Sequence, residues 1–252
     1  MEIESSKQIA WASRGAELLS IEIPSPLLEI MPGIHWGCAS DLFTPAFWKY
    51  QSAAARKIGV SYNFRLGNSI VEEVTACLLG GYGMPAELAL AAFYRLRERN
   101  LINDIAKREA LETALSEPFD FESGARRYRF PRQKASYLWR ALQTLNSASL
   151  PESARSMRDF LLKLPGIGPK TASWIVRNHF GSDDVAILDV HIMRAGAVMG
   201  LFWATANPAR EYFKLENRFL AFCEAIEEPA SVVDALMWDH MRRIGSARAI
   251  PF

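Results

Sequence analysis

The chain has 252 residues, half of them hydrophobic, which is enough to bury a sizeable core as one domain or as two closely packed lobes. A formal charge of only +1 excludes a strongly basic, nonspecific coat for nucleic acid, so cationic contacts have to be local. No apolar stretch reaches membrane-spanning length and no signal-peptide pattern follows Met1, while three cysteines point to a reducing compartment.

In chain order, Leu19–Ile23 alternates as a short strand, and Pro24, Pro26 and Pro32 predict an irregular N-terminal region. Ile70–Leu79 predicts a buried helix entered at Asn68 or Ser69. Gly80-Gly-Tyr-Gly83 breaks it, and Pro85 opens a helix over Ala86–Leu96. Arg126, Arg127, Arg129, Arg132 and Lys134 form one dense basic cluster, which reads either as a nucleic-acid contact or as a solvated loop. Two more helices are predicted over Pro131–Leu145 and Pro151–Leu164. There is no internal repeat and no low-complexity linker.

Met157, Phe160, Leu161 and Leu164 recur at i, i+3, i+4 and i+7, an apolar helix face that Pro165 and Gly166 then stop. The glycines on either side of Ile167 allow positive φ and close approach by a foreign backbone. Pro169 suits the first turn of a new helix, whose free amides can receive a phosphate. That helix buries Ala172, Ile175 and Val176. A helix, a Pro-Gly-Ile-Gly turn and a second helix make a helix-hairpin-helix over 155–180, which grips nucleic-acid backbone without reading sequence; an ordinary αα-hairpin has the same outline.

Lys170 and Trp174, four residues apart, share one face of this second helix, with the lysine near its N-terminal end. An amine at the positive end of a helix dipole and out of water gives up its proton more readily, which makes it a nucleophile; a solvated phosphate-binding lysine fits the same position. Val185–Leu188 is a short apolar run. Asp189 ends it as the N-cap of a helix over Val190–Met199, and capping alone accounts for an aspartate there. It does not account for the position of that aspartate nineteen residues after a hairpin lysine.

This block resembles the helix-hairpin-helix DNA glycosylases with a Gly/Pro-rich loop and a downstream aspartate, and among them the bifunctional 8-oxoguanine glycosylases/lyases. Leu164-Pro-Gly-Ile-Gly-Pro-Lys170 is similar to their hairpin with its nucleophilic lysine, and Leu188-Asp-Val-His191 to their Asp-Val-His segment at the same spacing. This match covers about a sixth of the chain. Weaker similarities lie at Arg129-Phe-Pro-Arg-Gln-Lys-Ala135 and at Asp234-Ala-Leu-Met-Trp238, the latter resembling the last helix of a short, mainly archaeal branch. That branch typically ends in a lysine that helps hold the damaged base, whereas this sequence ends Ile250-Pro-Phe252. Cys38, Cys77 and Cys223 are too few and too scattered for the four-cysteine iron–sulfur loop of endonuclease-III-like relatives.

The resemblance implies a mainly α, two-lobed helix-hairpin-helix glycosylase fold with its site in the cleft between the lobes. Residues 65–185 would form a six-helix lobe carrying the hairpin, and residues 1–64 with 186–252 the other. It implies base excision from double-stranded DNA by a monomer, cytoplasmic or nuclear, with no membrane partner. The base is an oxidised purine, 8-oxoguanine first, with another modified base as the alternative. A catalytically silent DNA-binding clamp is the reading from a different class, and the Lys170/Asp189 pair is what a clamp does not need. Lys170 is the expected nucleophile and Asp189 the carboxylate that stabilises the cationic sugar.

Extrusion of a nucleotide needs a filler for the hole and a pocket for the base. Tyr82, in the glycine-rich break, is the candidate filler or else a turn tyrosine. Trp174 and Trp238 are candidate pocket faces or plain core, with Asp234 and Phe252 beside them. Leu164, Gly166, Gly168, Lys134 and His191 are the expected DNA contacts; no set with zinc-like spacing surrounds His191. No cofactor is required, and the resemblance implies a structural Na+ or K+ on the carbonyls of Leu162, Leu164 and Ile167.

Overall fold

The computed structural model describes residues 6–60, 65–81, 83–102 and 106–244. They begin with strands β1 (Gln8–Arg14), β2 (Glu17–Ile23), β3 (Glu29–Met31) and β4 (Ile34–His35), then helices α1 (Pro45–Ile58), α2 (Ile70–Leu79), α3 (Ala86–Glu98) and α4 (Arg108–Ser116). Strands β5 (Phe119–Phe121) and β6 (Gly124–Arg126) precede α5 (Pro131–Ser147), α6 (Ala154–Leu161), α7 (Pro169–Phe180), α8 (Val190–Val198), α9 (Pro208–Ala225) and α10 (Ala230–Arg243). The chain divides into two compact units, Phe64–Ser182 and Met1–Asn63 with Asp183–Phe252. None of the described helices is long and apolar enough to cross a membrane.

In the unit built from both chain ends, β1 and β2 form an antiparallel hairpin that pairs Gln8 with Ile23 and Arg14 with Glu17, and Gly15 turns it with φ +63°. The strand expected at Leu19–Ile23 is the second half of this hairpin. Its partner went unread because β1 alternates with its large residues on the wrong side: Ile9 and Trp11 are exposed, while Ala12 is buried. The hairpin packs on α1, which Thr44 caps by accepting from Phe47 N at 3.1 Å and Gly59 closes in the left-handed region. Trp48, Phe219, Phe222 and Ile23 are fully buried in its core. The buried carboxyl of Glu228 accepts from Ser52 Oγ at 2.7 Å and pairs with Lys49 Nζ at 3.0 Å, tying α1 to the start of α10.

In the middle unit α2 is the central rod, with eight of its ten residues buried and α7, α5 and α3 packed around it. Ser69 caps it, and the buried carboxyl of Glu73 turns back on the preceding chain. Its Oε2 accepts from the amides of Leu66 and Gly67, both at 2.9 Å, and its Oε1 from Asn178 Nδ2 on α7 at 2.8 Å. The helix expected from Pro151 to Leu164 is shorter. Ser153 caps it and delays its start to Ala154, and after Leu161 the chain tightens, with Lys163 N bonded to Phe160 O and Leu164 N to Leu161 O.

Glu73→Ala should strip three buried donors of their acceptor at once, a loss of about 3 kcal/mol or more in a urea melt. A change below about 0.5 kcal/mol would mean that water reaches those groups in the folded chain.

Candidate active site

The turn between α6 and α7 is built from a few tight backbone bonds, ending with Ile167 N donating to Leu164 O at 3.3 Å. Leu164 and Ile167 are both buried, so neither can offer more than its main chain to a partner. Gly166 has φ +83°, and a Cβ there would fall 2.3 Å from the Tyr137 ring, so two independent constraints require glycine. Gly168 corrects the sequence reading. Its φ is −93° and ψ 177°, an extended conformation that any residue adopts, and a Cβ on it would meet nothing within 4 Å. What Gly168 contributes is the absence of a side chain: it leads α7 with no side-chain cap, and Pro169 follows it. The amides of that first turn have no intrahelical acceptor and face outward at the positive end of the helix, which is an anion site in physical terms.

Lys170 lies on this first turn, half-buried, and its amine has no hydrogen-bond or ion-pair partner among the described residues. One turn on, the half-buried Trp174 lays its ring against Gly80, where a Cβ would come within 3.4 Å of it. Gly80 begins the break after α2. The carbonyls of that helix end are held by side chains: Lys134 Nζ donates to Leu78 O at 2.5 Å and Gly80 O at 3.1 Å, and Tyr128 Oη donates to Leu79 O. Lys134, expected as a DNA contact, is thus committed to capping α2, and burial lowers its pKa. Tyr128 is a second residue of this cap that sequence reasoning missed, since nothing local marks it. Of the basic cluster, Arg126 is paired with Glu87, while Arg127, Arg129 and Arg132 are exposed. Tyr82 and Phe252 lie outside the described residues.

In the other unit, Asp189 does cap α8, and one oxygen suffices: Oδ1 accepts from His191 N at 2.8 Å and Ile192 N at 3.1 Å. Oδ2 has no hydrogen-bond partner among the described residues. His191 is half-buried, and its Nδ1 is enclosed without a hydrogen-bond partner. Trp238 is 38 % exposed on α10, with the Arg242 guanidinium 4.7 Å over its ring, so it is a surface aromatic rather than core. Asp234 is 1 % exposed and accepts from Ile187 N at 3.3 Å, so it anchors main chain.

Comparisons with known proteins identify the family of the chain. Residues 62–228, about two thirds of the chain, match the family model described as 8-oxoguanine DNA glycosylase. An 8-oxoguanine DNA glycosylase/AP lyase of Metallosphaera sedula is 32% identical over 117 residues, covering 44% of this chain and 57% of that protein. The chain therefore spans a little over half the length of this relative. The crystal structure of Methanocaldococcus jannaschii 8-oxoguanine DNA glycosylase superposes with a TM-score of 0.54 at 26% identity, over 78% of this chain and 86% of that one. The complex of the Methanocaldococcus jannaschii glycosylase/lyase with a 15mer DNA containing 8-oxoguanine superposes with a TM-score of 0.53 at 26% identity, over 71% and 83%.

The two hairpin glycines should separate cleanly in a melting experiment. Gly166→Ala meets both positive φ and the Tyr137 ring and should cost about 2 kcal/mol or more, whereas Gly168→Ala should leave Tm within about a degree. Equal losses would mean that the turn does not hold the backbone described for it.

Proposed function

The chain belongs to the family of helix-hairpin-helix 8-oxoguanine DNA glycosylases, and we propose that it excises an oxidised purine, 8-oxoguanine, from duplex DNA and then nicks the strand. The observation that carries this reading is Lys170: an amine without a partner among the described residues, half out of water, on the first turn of a helix that has no side-chain cap. A phosphate-clamping module has no use for a reactive amine beside its anion site. The relative from Metallosphaera sedula, an 8-oxoguanine DNA glycosylase/AP lyase, points the same way.

In the proposed reaction Lys170 Nζ, deprotonated, attacks the sugar C1′ as the C1′–N9 bond breaks, and the base departs with a proton in place of its sugar bond. Ring opening gives a Schiff base between Nζ and C1′. Loss of a C2′ proton then expels the 3′ phosphate by β-elimination. Asp189 supplies negative charge while the sugar carries its developing positive charge, using Oδ2 while Oδ1 keeps the helix capped. The amides around Gly168 hold a phosphate without reading bases, and His191, next to the cap of α8, adds a further phosphate contact in this reading. Trp174 and Trp238 offer aromatic faces to an extruded base, and Tyr82 the filler for the gap it leaves.

A structural alkali cation on the carbonyls of Leu162, Leu164 and Ile167 fits the chemistry of neutral oxygen donors. The Leu164 oxygen, which already accepts from Ile167 N, keeps its second lone pair for such a role.

Duplexes each holding one modified base, incubated with the protein and borohydride, test the reading directly. Wild type should give a covalent adduct with the 8-oxoguanine duplex. Lys170→Gln should abolish it while leaving duplex binding within about threefold. Asp189→Asn, which keeps the capping oxygen, should lose about a hundredfold in excision at nearly unchanged Tm. Equal trapping by Lys170→Gln sinks the assignment of the nucleophile. In the same assay Gly168→Phe should weaken binding to damaged and undamaged duplex together, and selective loss of lesion binding would contradict a backbone clamp.

A further inference from the structure

Val185, Ala186 and Leu188 are buried, yet residues 185–188 belong to none of the sheets of the described residues. An extended segment in that position would leave its amides unsatisfied, and their partners here are side chains. Ala186 N donates to Glu216 Oε1 at 3.0 Å, Ile187 N to Asp234 Oδ2 at 3.3 Å, and Leu188 N to Tyr212 Oη at 3.2 Å. Tyr212 Oη also donates to Ala186 O at 2.7 Å.

The arrangement follows the geometry of an extended chain between two helices. Successive amides of such a chain point to opposite sides, so 186 and 188 reach α9 and 187 reaches α10. Tyr212 and Glu216 stand one helical turn apart on one face of α9. Their spacing along the axis, about 6 Å, matches the roughly 6.6 Å between residues 186 and 188. The segment is also held at both ends, because Asp183 Oδ1 accepts from Ser231 N in the first turn of α10 and Asp189 caps α8. A strand held by sheet neighbours can slip in register; one held by three side chains of fixed height cannot.

We propose that Tyr212, Glu216 and Asp234 are positioning residues that fix Asp189 for the reaction, an inference that rests on the role given to Asp189 above. All three are buried, at 5 %, 1 % and 1 % exposed, so they act through the backbone of 186–188. A displacement of this segment by a fraction of an ångström moves the Asp189 carboxyl while leaving the fold in place. Catalysis is far more sensitive to such a shift than stability is.

The test compares single-turnover excision, duplex affinity, Tm and amide hydrogen exchange in one set of variants. Tyr212→Phe keeps the ring and removes the hydroxyl. It should slow excision about tenfold or more with duplex Kd within about twofold, and should speed exchange at Leu188. Glu216→Gln keeps an acceptor oxygen and should retain most of the rate, while Glu216→Ala should lose it. Phe222→Leu, a core change on the same helix at a residue that makes none of these bonds, controls for lost stability and should excise at close to the wild-type rate. If Glu216→Ala does not fold, Tyr212→Phe against Phe222→Leu decides alone.

An unchanged rate in Tyr212→Phe, or an equal loss in Phe222→Leu at similar Tm, overturns the proposal. Asp189→Asn in the same series separates the two levels of the argument. Full excision by that variant removes the role of Asp189 and this inference with it, whereas an inactive Asp189→Asn beside a fully active Tyr212→Phe refutes the positioning alone.

Discussion

A backbone amide or carbonyl sealed from water without a partner costs more than an ordinary hydrogen bond returns, and the described residues meet that constraint with side chains at three places. The end of α2 is closed by Lys134 and Tyr128, and the chain before it by Glu73. The amides of residues 186–188 are closed by Glu216, Asp234 and Tyr212. The N-terminus of α7, like those of α3, α4, α5 and α10, has no side-chain cap, and there the residues at the start are glycine and proline. A helix start without a side-chain cap leaves its first-turn amides to water.

How much of this the sequence discloses depends on how local the cause is. The hairpin is legible because proline, glycine and apolar spacing act over a few residues, and the matching capping position of Asp189 is legible for the same reason. Gly168 misleads: a glycine in a turn suggests positive φ, and only the backbone shows that it is there to be bare. The β1–β2 hairpin is hidden because Ile9 and Trp11 face outward and alanines face inward, which inverts the pattern that marks a strand. Tyr128, Tyr212 and Glu216 are illegible for a different reason. Their partners lie 49, 24 and 30 residues away, and a buried tyrosine or glutamate gives no local sign of which main-chain group it serves. Asp234 stands out by resemblance, but that it accepts from the amide of Ile187, 47 residues away, has no sign in the sequence.

Asp189 shows that a helix cap need not use the whole of a side chain. A carboxyl group has two oxygens, and the cap consumes only Oδ1, which receives both amide hydrogen bonds. Those two bonds also set the direction of Oδ2, so the cap aims the free oxygen as well as closing the helix. Replacement by serine would serve α8 nearly as well and would leave nothing over. An aspartate at this position is therefore informative in a way that the capping preference by itself is not.

The two lysines of the middle unit make the same point from the opposite direction. By residue type, and by proximity to basic or aromatic neighbours, Lys134 and Lys170 are equally good candidates to meet DNA. In the fold Lys134 spends two of its three donors on the carbonyls at the end of α2, where the negative end of the helix dipole favours a cation. Lys170 sits at the opposite, N-terminal end of α7, with no carboxylate partner among the described residues. The two lysines thus meet opposite ends of a helix, and Lys134 is the one that holds helix carbonyls.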